Sequence, residues 1–298
     1  MNSNYFFGDL KFMKTKSERI QKLFSKEDGK TVIIPMDHGV MAVMEGLEDP
    51  LTSLKKFVNL GAEALLINFG ILKLAHNFLN GLKNRPGIIM GIDYNQMWSK
   101  WKLPLENADC IMGHCLTAQI EQAIKYNVDA VKVYFPLGLE PKLSMEYLEH
   151  TCKIITEADK YDMPVMVEPT TDGQYIPKDK KGDPKIIADG CRLALELGAD
   201  ILKAPYPEHT TENKEVFANI CSNSHVPVVM LGGAKKDGTK GIFETARYGI
   251  DAGAKGTIFG RNVWQRPVEE MERVLKGLQD IVHKGATVND VMSKYKLS

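Results

Sequence analysis

The run GADILKAPYP, residues 198–207, decides how the rest of the chain is read. Gly198 closes a helical pattern. Ile201, Leu202 and Lys203 form a strand, and Ala204–Pro205 ends it. Side chains alternate along a strand, so Leu202 lies on one face and Ile201 and Lys203 on the other. A lysine at the carboxyl end of a buried parallel strand is costly unless it is paired or neutral. Desolvation eases its deprotonation, and the free amine is a nucleophile. Two readings stand side by side: Lys203 forms a Schiff base with a carbonyl compound, or it is a structural cation paired with a carboxylate such as Glu168.

Outward from this run the same unit recurs. KYNVDAVKVYF (125–135), ELGADILKAPY (196–206) and DAGAKGTIFGR (251–261) each carry a helix end, a polar or glycine turn and a strand. Eight strands are expected at 31–36, 64–69, 87–93, 129–135, 164–168, 201–203, 228–231 and 256–259. Helical patterns lie between them, at 51–60, 71–79, 117–126, 144–161, 186–197, 211–221 and 241–251, with another from 267. Alternating αβ units of this length predict a TIM (β/α)₈ barrel. Helical stretches at 14–24 and 288–294 add N-terminal and C-terminal helices, the first covering the barrel bottom. The expected organisation is a single domain over 1–298, with the barrel at about 31–280. A doubly wound open sheet is the alternative, but DHGVMAV after the first strand lacks the dinucleotide fingerprint.

The 298 residues are 44% hydrophobic, enough for a sizeable core. Basic and acidic residues both number 38, so nothing global draws the chain to nucleic acid or an anionic membrane. Five cysteines without paired spacing suggest a reducing, cytoplasmic home. No window is long and apolar enough for a membrane span. The histidines show no HxH or HExxH spacing, so no metal and no cofactor is expected.

A barrel gathers its chemistry at the carboxyl ends of its strands. That rule collects Asp37, His38, Asn68, Asp93, Tyr134, Glu168 and Lys203. Tyr134 shares a face with Lys132, a competing nucleophile set deeper in its strand. Tyr134 is either a proton donor and acceptor or a packing residue with a satisfied hydroxyl. Of the adjacent Asp37 and His38, strand alternation lets one face the pocket, and Asp37 is favoured as the group that orients a hydroxyl or moves a proton. Asp93 and Glu168 stand behind it, with Glu168 able to tune Lys203. Gly232–Gly233 after the seventh strand and Gly260–Arg261 after the eighth form turns whose backbone N–H groups and guanidinium suit a phosphate.

PMDHG (35–39), GADILKAPY (198–206), LGGAKKD (231–237) and GAKGTIFGRNVWQ (253–265) together resemble the DeoC/FbaB family of class I aldolases, nearest to the archaeal-type fructose-bisphosphate aldolases. The resemblance covers about residues 30–280. It implies that Lys203 forms the Schiff base, that Asp37 assists, and that Tyr134 is the acid/base. It also implies that Gly232, Gly233, Gly260 and Arg261 hold phosphate. KVYFPLG (132–138) departs from the family's tyrosine stretch by one residue, and GIDYNQMWSKW (91–101) matches no family pattern. The implied activity is cleavage or formation of a phosphorylated ketose, foremost fructose 1,6-bisphosphate to dihydroxyacetone phosphate and glyceraldehyde 3-phosphate. Relatives in the family act as a transaldolase-like synthase or as a thiolase on a phosphorylated diketone, and a non-catalytic metabolite-binding barrel is a further alternative. The expected partner is a small phosphorylated sugar or ketone. The family also implies a homo-oligomer, for which Phe6, Phe7 and Val288 offer apolar surface.

Overall fold

Eight runs rich in Val, Ile and Leu are buried along nearly their whole length, as parallel strands covered on both faces must be. In the computed structural model, which describes residues 14–95, 114–207, 210–233 and 238–297, the first four are β1 (Thr31–Pro35), β2 (Ala64–Asn68), β3 (Gly87–Gly91) and β4 (Ala130–Pro136). The other four are β5 (Val165–Thr170), β6 (Ile201–Pro205), β7 (Val228–Leu231) and β8 (Gly256–Ile258). Each pairs in parallel with its sequence neighbours, and β8 returns to pair with β1, closing the expected barrel.

The helices, in chain order, are α1 (Lys16–Leu23), α2 (Pro50–Asn59), α3 (Phe69–Asn80), α4 (Ile120–Lys125), α5 (Pro141–Asp159) and α6 (Pro184–Glu196). They continue with α7 (Thr211–Asn223), α8 (Lys240–Asp251), α9 (Arg261–Trp264), α10 (Val268–Lys284) and α11 (Val288–Tyr295). Proline at the first helical turn follows an acidic cap in α2, α5 and α6, where Asp49, Glu140 and Asp183 accept backbone N–H bonds.

The alternation read from the sequence divides the core in two. Ile33, Leu66, Ile89, Met166 and Ile201 fill the barrel interior. Leu65, Val131, Val133, Leu202 and Ala204 point outward and pack under the helices. Leu23 and Phe24, at the end of α1, join the interior cluster and cover the bottom as expected. At the other terminus, α11 packs through buried Val291, and Val288 lies against the core rather than offering a free apolar surface. Phe6 and Phe7 lie outside the described residues.

Several element boundaries differ from those expected. Pro35 sits in the ladder, opposite Leu66, because it ends β1, where its missing N–H removes no needed bond. Its carbonyl accepts the Trp264 indole N–H at 3.0 Å. Asp93 does not end β3; the strand stops at Gly91, and Asp93–Asn95 form a two-stranded antiparallel arm with His114–Leu116. The helix expected from Thr117 starts later. Thr117 donates its N–H to the Ile92 carbonyl at 2.7 Å, and α4 begins after Gln119, whose side chain closes a reciprocal cap with Gln122. Trp98 and Trp101 of GIDYNQMWSKW and the two lysines of LGGAKKD lie outside the described residues.

Candidate active site

The carboxyl end of the barrel opens into a cavity of about 290 Å³. The residues expected at the strand ends and glycine turns line it: Asp37, His38, Asn68, Asp93, Tyr134, Glu168, Lys203, Gly232, Gly233, Gly260 and Arg261. At its floor, Lys203, Lys132 and Glu168 are only 5%, 7% and 5% exposed. Strand register brings them together. Tyr134 of β4 faces Glu168 of β5, and Val167 faces Leu202, which sets Glu168 beside Lys203 of β6. Glu168 then bridges two amines, with Oε1 2.8 Å from Lys203 Nζ and Oε2 2.5 Å from Lys132 Nζ.

Lys132 also lies 3.8 Å from Asp37 Oδ2. Burial pulls the Lys132 ammonium down, but Glu168, Asp93 and Asp37 outweigh it and hold its pKa above the ordinary lysine value. Burial likewise pushes the Asp37 carboxyl up, and Lys203, His38 and Lys132 outweigh it and hold it well below the usual carboxylate range. The lower pocket thus keeps one anion, Asp37, and one cation, Lys132, fixed in their charge states.

Asp37 and His38 are not arranged as on a strand. They begin a short 3₁₀ turn, Asp37–Val40, so both reach the pocket, contrary to the alternation argument. His38 Nδ1 lies 3.3 Å from Asp37 Oδ1. Both atoms are buried and make no hydrogen bond among the described residues. The turn is held by Asn68 Nδ2, which donates to the Asp37 carbonyl at 2.7 Å. Gly91 makes room for it: a Cβ there would come within 2.9 Å of Asn68 Oδ1.

Asp93 plays a backbone role. The β3–β4 ladder ends at Gly91 and Lys132, and beyond it Asp93 Oδ2 accepts the Tyr134 N–H at 2.7 Å. The Tyr134 hydroxyl donates to Asp172 Oδ2 at 2.6 Å and accepts from Thr170 Oγ1 at 2.8 Å. Thr170 and Asp172 were not expected. The pleat offered a signal, since Thr170 follows Glu168 by two residues and shares its face once β5 is extended.

The glycine turns lie across the mouth from Tyr134. A Cβ on Gly232 would meet the Phe259 ring at 2.7 Å, and Gly233 has φ +66°. Arg261 begins α9. Its Nε is buried without a partner among the described residues, and burial alone lowers its pKa. A desolvated guanidinium beside two glycine turns suits an anion. Asn262 Nδ2 donates to the Gly232 carbonyl at 2.9 Å, tying the two turns together.

A parallel barrel with a buried amine at the strand ends is the framework of lysine-dependent carbon–carbon lyases. A family model described as DeoC/LacD family aldolase matches residues 31–266. An uncharacterised aldolase of Saccharolobus solfataricus is 30% identical over 93% of this chain and 98% of its own length. The chain belongs to the DeoC/LacD family of aldolases and is a class I, Schiff-base-forming enzyme. A 3-hydroxy-5-phosphonooxypentane-2,4-dione thiolase of Photorhabdus laumondii is 25% identical over 89% of this chain and 81% of its own. In fold, the barrel superposes on an archaeal fructose 1,6-bisphosphate aldolase with a TM-score of 0.74, at 23% identity, covering 91% of this chain and all of that one. The fructose-bisphosphate aldolase of Slackia heliotrinireducens gives 0.75 at 19% identity, covering 94% and 90%. Among the described residues, no helix is long and apolar enough to cross a membrane.

Proposed function

We propose that the enzyme cleaves and forms a ketose phosphorylated on carbon one, with Lys203 as its Schiff-base lysine. The observation that carries this is the 2.8 Å contact of Lys203 Nζ with Glu168 Oε1 at the pocket floor. Glu168 takes a proton from the Lys203 ammonium and leaves a free amine. Lys132 is the poorer nucleophile, because its carboxylate neighbours keep it protonated.

The amine attacks carbon two and forms a carbinolamine. Glu168 returns its proton to the departing hydroxyl, water leaves, and the iminium remains. Tyr134 accepts the proton of the carbon-four hydroxyl and passes its own to Asp172. The C3–C4 bond then breaks, its electron pair moves to the iminium nitrogen as an enamine forms, and carbon four departs as an aldehyde. Protonation at carbon three and hydrolysis of the imine release dihydroxyacetone phosphate and restore Lys203. Asp37 and His38 orient the hydroxyl nearest carbon two. The phosphate lies between Gly232–Gly233 and Gly260–Arg261.

Fructose 1,6-bisphosphate, the compound named for the archaeal structures of this fold, is the reference substrate, and its aldehyde fragment is glyceraldehyde 3-phosphate. The thiolase relative favours one second reading, thiolysis of a phosphorylated diketone at the same lysine and phosphate site. A turnover screen over phosphorylated ketoses and diketones, run on the native protein and Arg261→Ala, tests both. Loss of the desolvated guanidinium should weaken phosphorylated substrates by about 10- to 100-fold. Equal activity of both proteins on phosphorylated and unphosphorylated compounds would end the phosphate assignment. Activity only on diketones with a thiol acceptor would select the second reading.

A further inference from the structure

The barrel's strand order fixes where a substrate's two ends lie. Around the ring, β4 stands four places from β8 in either direction, so the two strands face each other across the mouth. Arg261 follows β8 and Lys203 lies on β6, between the two walls. A ketose with its carbon-one phosphate at Arg261 and carbon two at Lys203 therefore extends toward β4 and the end of β5. That wall carries the Tyr134 hydroxyl, Thr170 and the Asp172 carboxylate, joined by bonds of 2.6 and 2.8 Å. Among the described residues that line the cavity, Lys132 is the one cation on that side. Lys132 lies one pleat below, its amine held 2.5 Å from Glu168 Oε2.

Given the aldolase reading proposed above, on which this rests, we infer that the aldehyde half of the substrate is uncharged and bears hydroxyls, so that the enzyme is selective for mono- over bisphosphorylated ketoses. Asp172 can accept a bond from a substrate hydroxyl, and Thr170 and Tyr134 can exchange bonds with it. A terminal phosphate would bring a second anion against a carboxylate in a partly desolvated pocket, and like charges so placed discriminate strongly. The phosphate site beside Arg261 then serves the dihydroxyacetone phosphate half alone. Asp172 is a specificity determinant as well as the acceptor of the Tyr134 proton.

The test runs the reaction toward synthesis, with dihydroxyacetone phosphate as donor and matched acceptors that differ only in a terminal phosphate. Glyceraldehyde is compared with glyceraldehyde 3-phosphate, and erythrose with erythrose 4-phosphate. The neutral member of each pair should be favoured in kcat/KM by about tenfold or more. Asp172→Asn should lower turnover with both members yet shrink the ratio between them, an effect that a merely structural role would not produce. A preference for the phosphorylated acceptors, or none, would overturn the inference and leave the aldolase reading intact. So would a ratio unchanged in Asp172→Asn, or a lysine adduct with the donor but no acceptor turnover. Failure of dihydroxyacetone phosphate to form any reducible adduct would overturn the aldolase reading itself, and this inference with it.

Discussion

At the scale of single residues, the site turns on one carboxylate shared by two buried lysines. Glu168 gives each amine one oxygen, and in the proposed mechanism the neighbours decide which amine reacts. Asp37 acts on both amines, whereas Lys132 has Asp93 around it as well and stays charged. Glu168→Gln removes the proton acceptor beside Lys203 and leaves Lys132 with less compensation, so kcat should fall by about 10²–10⁴-fold in steady-state assays. Tyr134→Phe should cost a similar factor. The two variants should differ in kind. Tyr134→Phe should still form the iminium, read as a borohydride-reducible adduct, whereas Glu168→Gln should form it slowly. An unchanged rate in Tyr134→Phe would move the carbon-four proton to another group. That these side chains meet was partly legible in the sequence, because period-two alternation put Tyr134 and Lys132 on one face and the strand-end rule collected Glu168 and Lys203. Asp172 was not, since it lies beyond the strand where alternation says nothing.

At the scale of elements, two connections hold the mouth and the terminus. Arg266 is buried, donating from Nε to the Asn262 carbonyl at 2.7 Å and from a terminal nitrogen to the Gly238 carbonyl at 2.7 Å. It thereby clamps α9 to the segment after β7. Arg266→Ala should raise KM for phosphorylated substrates more than it lowers kcat. Charge-assisted bonds of this kind suggest a loss of about 1.5–3 kcal/mol in denaturant unfolding. At the terminus, Asp280 of α10 meets Lys284, Lys294 and the Tyr295 hydroxyl, which draws α11 onto the barrel. Burial pushes its carboxyl up, but these three partners win and hold its pKa at about 2. Its folded pKa lies below the unfolded value of about 3.9, so its contribution is complete above that pH and is lost as pH falls toward about 2. Asp280→Asn should therefore lower Tm at neutral pH and differ little from the native protein near pH 2. The helices were legible from sequence but their proline starts were not: the expected elements began at 144 and 186, where the apolar periodicity sets in, and the structure begins them at Pro141 and Pro184. The antiparallel arm of Asp93–Asn95 was not legible either, because a three-residue strand carries no periodicity.

At the scale of the whole molecule, the closed barrel puts chemistry at one end and structural charge at the other. Near the N-terminal ends of the strands, His283 of α10 bridges Asp28 and Glu63, with Nδ1 2.8 Å from Asp28 Oδ2 and Nε2 3.0 Å from Glu63 Oε2. The Glu63 hydrogen bond raises its pKa, burial opposes this, and Asp28 adds to the rise. A raised histidine stabilises fully below the unfolded value of about 6.5, and the gain is lost as pH climbs through the folded value. The Tm difference between the native protein and His283→Gln should be largest near pH 6 and should shrink in more alkaline buffers. A difference constant with pH would mean that packing, not charge, is what His283 supplies. The barrel itself was legible because eight buried strands and their helices repeat a unit, while the turn at Asp37–His38 escaped because it leaves the strand geometry on which that reading relied. The central claim, that Lys203 is the amine that bonds substrate, is tested most directly by reducing the protein with borohydride in the presence of dihydroxyacetone phosphate and mapping the modified peptide by mass spectrometry. The account predicts one stoichiometric adduct on Lys203, none on Lys132, and none in Lys203→Ala. An adduct on Lys132, or full turnover in Lys203→Ala, would contradict it.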